Sequence, residues 1–184
     1  RNQSTRMPPR EHTGKIAVPN SNMRWASDLT QIRLWDGTRL RFTYILDCCD
    51  RSIISYRLGR TMWAVDVEQM LQEALLKRFG QAYASSPLEF LHDNGPEYRE
   101  NVFQDQLKKW NIKNCNTPTY SPQSNGMCEA FNGTFKRDYV YQNCLDSEEE
   151  VQKMIHEWVK DYNTFAPHSA LDMKSPEEFF RLKL

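Results

Sequence analysis

No apolar run in this sequence approaches the roughly 18 residues that a membrane helix needs. Behind the basic, proline-containing N-terminus there is also no apolar segment of the signal-peptide kind. We therefore expect a soluble, cytoplasmic chain. The five cysteines, Cys48, Cys49, Cys115, Cys128 and Cys144, are an odd set without a C-x-x-C pair. That argues against both a disulfide framework and a zinc ribbon, and predicts buried free thiols. Neither sign of charge is in excess, with 24 Lys and Arg against 24 Asp and Glu, so composition gives no support to nucleic-acid binding. Internal repeats and low-complexity tracts are absent as well. What remains is 184 residues, enough for one domain to bury a core without disulfides or a structural metal.

The charge that is present is unevenly spread. Residues 1–15 carry Arg1, Arg6, Arg10 and Lys15 against Glu11, with Pro8 and Pro9 and little apolar content. We read residues 1–20 as a basic arm or linker, 21–165 as the core, and 166–184 as a tail with a short helix. Because the chain opens on Arg1 rather than Met, we expect it to be part of a longer protein with a further domain upstream.

Along the core the apolar period changes in a telling order. Ala26, Asp28, Thr30, Ile32 and Leu34 share one side of a period-2 pattern that ends at Asp36-Gly37. Leu40 to Leu46 and Ile54 to Leu58 alternate in turn, predicting a three-stranded antiparallel meander. From Ala64 to Phe79 the spacing becomes helical, and Gly80 stops it. Leu88 to Leu91 is a short strand running into His92-Asp93-Asn94-Gly95. Phe103, Leu107 and Trp110 mark a helix, Ile112 to Asn116 a fifth strand, and Ser121-Pro122 a loop before a helix carrying Met127, Phe131 and Phe135. Ser147-x-x-Glu150 and Ser175-Pro176-Glu177-Glu178 are capping signatures for two further helices. This is an α/β order.

Three acids are oddly placed for surface charges: Asp28 inside a strand, Asp93 at a strand end, and Glu129 on a helix with an apolar opposite face. Carboxylates facing a core or cleft are costly unless paired or bound to metal, and three together suit Mg²⁺ or Mn²⁺. Taken singly, each has an ordinary explanation, as an edge acid, a turn residue or a solvated helical glutamate.

The combination is more specific. Thirty-five residues separate Asp93 from Glu129, with Asp28 on the first strand. Around them stand Trp25-x-x-Asp28-x-Thr30, His92-Asp93-Asn94-Gly95-Pro96-Glu97-Tyr98, and Ser121-Pro122-Gln123-Ser124-Asn125-Gly126-x-x-Glu129-Ala130-Phe131. The tail runs from Tyr162-Asn163 through Pro167-His168-Ser169-Ala170-Leu171 to Ser175-Pro176-Glu177-Glu178-Phe179. Over about residues 16–182 this resembles the retroviral-integrase superfamily with its D,D-35-E signature. The resemblance is strongest to bacterial insertion-sequence transposases made from two overlapping reading frames.

The resemblance implies a ribonuclease H-like fold, a mixed five-stranded sheet flanked by helices, with the three acids meeting at one end of the sheet. It implies phosphoryl transfer with two divalent ions, Mg²⁺ or Mn²⁺, held by Asp28, Asp93 and Glu129, and in-line displacement at a DNA phosphate without a covalent protein intermediate. Double-stranded DNA, as element ends and as target, is the implied partner. Self-association in a nucleoprotein complex is implied too, in a bacterial cytoplasm at the nucleoid. Lys136, seven residues beyond Glu129 and so on its helix face, matches a lysine that contacts DNA in the family. Asn132, between them, with Arg137 and Asn125, are further DNA-contact candidates.

His92 has two readings, one orienting Asp93 or binding DNA, the other structural. The tryptophans invite base stacking, but Trp110 and Trp158 have core spacing. No zinc-binding module and no helix-turn-helix is visible, so the chain is not expected to select its own DNA ends. Two competing functions remain. One is a ribonuclease H or junction resolvase, which the 35-residue spacing disfavours. The other is a silent DNA-binding derivative, which the presence of all three acids disfavours.

Overall fold

The computed structural model describes residues 18–92, 101–116 and 122–183. The predicted meander is present: β1 (Arg24–Arg33) pairs antiparallel with β2 (Arg39–Asp47), and β2 with β3 (Ile53–Gly59). On the other side of β1, β4 (Leu88–His92) runs parallel to it, and β5 (Ile112–Asn116) runs parallel to β4. The order β3-β2-β1-β4-β5 makes the mixed five-stranded sheet that was expected, with β1 at its centre.

Strand alternation sorts the core into two layers. Ala26, Ile32, Leu40, Phe42, Tyr44 and Leu46 face α3 (Pro122–Asp138) and α4 (Glu148–Thr164). Trp25, Ile45, Leu88 and Phe90 face α1 (Ala64–Phe79) and α2 (Asn101–Lys109). β1 is buried on both faces at Trp25–Ser27, so Asp28, at the point where this covered stretch gives way to the exposed Gln31 and Arg33, has to be accounted for.

α1 buries Val67, Met70, Leu71, Ala74 and Leu75 at helical spacing. It ends where Gly80 takes φ +68°, with its N–H donating to the Leu76 carbonyl at 2.9 Å, a left-handed stop that costs glycine little. α3 begins at Pro122, inside the segment that the sequence pattern assigned to a loop. Proline lacks a donor that the first turn cannot use anyway, so it opens the helix instead of breaking it. Of the two capping signatures, Ser175 and Glu178 bond reciprocally at the start of α5 (Pro176–Leu182). At α4 the hydrogen bond from Glu150 N–H to Ser147 Oγ, 3.3 Å, is present.

α5 lies against the body: the Arg78 guanidinium stacks 4.2 Å over the Phe180 ring. Cys48, Cys49 and Cys128 are the buried thiols expected, whereas Cys115 is half-buried and Cys144 exposed. Among the described residues no helix is long and apolar enough to cross a membrane.

Candidate active site

Asp28 sits in mid-strand opposite Tyr44 of β2, on the face that α3 covers. Its backbone carbonyl accepts from Thr43 Oγ1 at 3.0 Å. The half-buried carboxylate accepts from Leu29 N–H at 2.9 Å through Oδ1 and from Asn132 Nδ2 at 2.8 Å through Oδ2. An ionised acid on a covered sheet face is therefore partly compensated by donors from its own strand and from the helix above.

The seat of that helix follows from its aromatic stripe. Phe131 and Phe135 stack at 5.3 Å, Phe131 lies 4.3 Å from the Tyr44 ring, and Phe135 stacks 5.2 Å from Phe42. Each such pair adds about 0.5–1.5 kcal/mol beyond simple burial. Tyr44 Oη also donates to the Cys128 carbonyl, at 3.4 Å. With Cys128, Phe131 and Phe135 fixed against the sheet, one residue of rotation puts Glu129, Asn132 and Lys136 on the adjoining stripe. The apolar and polar stripes of α3 thus run side by side.

Asn132 is turned onto Asp28, and only its NH₂ can donate to a carboxylate, so the amide orientation is fixed. Its buried Oδ1 has no partner among the described residues. Lys136 is half-buried; burial holds its ammonium below the ordinary lysine range, while the charge of Asp28 acts the other way. Glu129 is exposed, with no hydrogen bond or ion pair among the described residues. Arg137 is exposed and grips Asp138 with two bonds of 2.6 and 2.9 Å. Asn125 lies in the first turn of α3.

Asp93 lies outside the described residues. His92, the residue before it, is in register with Ser27, the residue before Asp28. Among the described residues no three His, Cys, Asp or Glu side chains gather at one point. Asp28 and Glu129 are the members of the expected trio that the description includes.

The His92 ring is buried, at 3% exposure, with Nε2 2.6 Å from Asn114 Oδ1. Asn114 Nδ2 in turn donates to Gln104 Oε1 at 2.7 Å. These bonds tie the end of β4 to β5 and α2. Neither Asn114 nor Gln104 stood out in the sequence, since no local pattern marks a side-chain pair spanning a strand and a helix.

The profile of the family described as Integrase core domain matches residues 19–122, and a second profile of the same description matches 111–176. An uncharacterized protein of insertion element IS136 from Agrobacterium fabrum is 40% identical over 176 residues, 95% of this chain and 90% of that protein. The transposase InsD for insertion element IS2 of Escherichia coli is 38% identical over 173 residues, 94% of this chain and 58% of that protein. Among solved structures, the HTLV-2 integrase catalytic core domain in complex with magnesium, in its dimeric form, superposes with a TM-score of 0.67 at 18% identity. That alignment covers 88% of this chain and 98% of that one.

Proposed function

This chain belongs to the Integrase core domain family, and on that premise we propose that it is the catalytic core of an insertion-sequence transposase, cutting and joining DNA strands with Asp28, Asp93 and Glu129. The observation that carries the reading is the 2.8 Å bond from Asn132 to Asp28. It holds the acid of the central strand against the helix that also carries Glu129, three residues before Asn132, which supports reading the two acids as parts of one site.

The donor chemistry fits a hard divalent cation. Asp28 and Glu129 both present carboxylate oxygens, the donor type such a cation prefers, and the exposed Glu129 carboxylate is uncommitted among the described residues. Asp28, Asp93 and Glu129 are the residues that would hold Mg²⁺ or Mn²⁺. Two such ions, when bound, activate an attacking water or 3′-hydroxyl and stabilise the leaving oxygen. Asn132 keeps the Asp28 carboxylate in one rotamer, and Lys136 offers its ammonium to a neighbouring phosphate oxygen. Asn125 and Arg137 belong at the edge of the DNA contact; Arg137 must first release Asp138. The partner is double-stranded DNA, as element ends and target, and the protein works as an assembly of copies at the bacterial nucleoid. The division into arm, core and tail stays part of this proposal.

The test is strand transfer by the longer protein on its own element ends. Asp28→Asn, Asp93→Asn and Glu129→Gln should each lower joining about a thousandfold or more, the scale of several kcal/mol of transition-state stabilisation. They should melt no lower than wild type, because each relieves charge repulsion. Independently of activity, Mn²⁺ should raise the wild-type melting temperature and leave the variants unmoved. Joining that survives in chelator refutes the metal chemistry, and variants that unfold make the acids structural.

A further inference from the structure

The exposed arginines of the described residues divide into two groups. Arg60, Arg137 and Arg181 each pair with a carboxylate. Arg33, Arg39 and Arg41 are exposed and pair with none among the described residues. These three lie together. β1 and β2 place Arg33 directly opposite Arg39 and Gln31 directly opposite Arg41. Alternation turns all four away from the face where Ile32, Leu40 and Phe42 are buried. The acid at the tip of the hairpin, Asp36, is turned onto Thr38, accepting from its N–H at 2.8 Å and its Oγ1 at 3.0 Å, and forms no ion pair with these arginines.

A like-charge pair directly across two strands destabilises a sheet. The fold gains nothing visible from Arg33 opposite Arg39, with Arg41 beside them, and a polyanion would relieve the repulsion. Two exposed indoles follow close in sequence on β1 and β3, the strands either side of β2. Trp35 is 66% exposed in the β1–β2 connection, and Trp63 is 65% exposed just beyond Gly59, which pairs with Arg41. Arginine forks with aromatic surface beside them suit the sugar–phosphate backbone of nucleic acid.

We propose that the outward face of the β1–β2 hairpin, formed by Gln31, Arg33, Arg39 and Arg41, is a docking surface for the backbone of a DNA duplex, separate from the phosphate at the acids. The proposal rests on the transposase reading. Arg33 is five residues beyond Asp28, roughly 17 Å along the strand, and its side chain leaves the opposite face of the sheet. This surface therefore holds DNA outside the reacting step. It is expected to be indifferent to sequence, since its contacts are phosphates.

Binding of a fluorescent duplex of unrelated sequence to the full chain, measured in chelator across a series of salt concentrations, tests this. Replacing the three arginines together (Arg33→Gln, Arg39→Gln, Arg41→Gln) should weaken binding and lower the log–log salt slope by about 2 to 3 units. Arg39→Glu alone, which turns a repulsive cross-strand pair into an attractive one, should raise the melting temperature of the DNA-free protein while weakening DNA binding. This single change keeps the test decisive even where the triple variant does not fold. Unchanged slopes, or a lower melting temperature for Arg39→Glu, overturn the surface and leave the transposase reading intact, provided wild type binds and joins DNA. If wild type binds no duplex at all, both fall together.

Discussion

Lys136 shows how far a single residue on the Glu129 stripe of α3 is fixed by its neighbours. Asp138, the acid nearest in sequence, is taken by Arg137, and Asp28 is the acid whose charge acts on the Lys136 ammonium. Burial disfavours its charge, and a phosphate arriving beside it would restore what desolvation takes away. Lys136→Ala should therefore weaken DNA binding across sequences and lower the salt slope by about one unit, while changing stability by no more than about 0.5 kcal/mol. Binding isotherms at several salt concentrations decide it: superimposable lines return Lys136 to the solvent. The place of this lysine was legible from its seven-residue spacing to Glu129. The bond from Asn132 to Asp28 was not, because the sequence puts those residues 104 apart and only the packing of Phe131 and Phe135 sets which way α3 is turned.

At the scale of elements, the parts that were legible are those whose signal is local. α1 has an apolar stripe and a stopping glycine, Leu40, Phe42, Tyr44 and Leu46 of β2 share one layer, and α4 and α5 carry their own caps. In β3 the expected alternation breaks, because the register shift against Ile45 and Leu46 puts Ile54 in the α1 layer while Tyr56 and Leu58 pack in the other. What the pattern hid lies between elements. β3 is an edge strand whose outer peptide groups need partners. Asn163, at the end of α4, supplies them like a piece of neighbouring backbone: its Oδ1 accepts from Ile53 N–H at 2.8 Å, and its Nδ2 donates to the Ile53 carbonyl at 2.9 Å. No reading of residues 53 and 163 in isolation predicts that exchange. Asn163→Ala should cost about 1 to 3 kcal/mol in urea unfolding, since two peptide groups lose their partners. Asn163→Leu, with similar volume and no donors, should cost as much; a loss seen only with alanine would mean that packing, not hydrogen bonding, is what Asn163 contributes.

For the molecule as a whole, one buried polar cluster joins pieces that are distant in sequence. Asp47 accepts from Asn22, Cys49 and Asp50 N–H groups, holding the segment before β1 to the β2–β3 turn. Asp50 reaches the end of α1 through Arg78 at 3.0 Å, with side chains 0% and 7% exposed, and Arg78 stacks on Phe180 of α5. Burial, and then the charge of Asp50, raises the Asp47 carboxyl above the ordinary aspartate range, and Arg78 is the cation that opposes this. Arg78→Met keeps the bulk under Phe180 but leaves Asp50 buried without its cation, which should cost about 3 to 5 kcal/mol near neutral pH. The sign of the pH dependence follows from Asp47. A carboxyl whose value is raised on folding takes up a proton as the chain folds. Its contribution is therefore fully present in acid, below the unfolded value of about 3.9, and disappears as pH rises through the folded value. With Arg78 gone that folded value climbs further, so the variant should be weakest near neutrality and recover toward wild type in mild acid. Urea midpoints of both proteins, measured from about pH 4 to pH 7, give the answer. A deficit that stays constant across that range would assign the loss to packing against Phe180 and remove the carboxylates from the explanation.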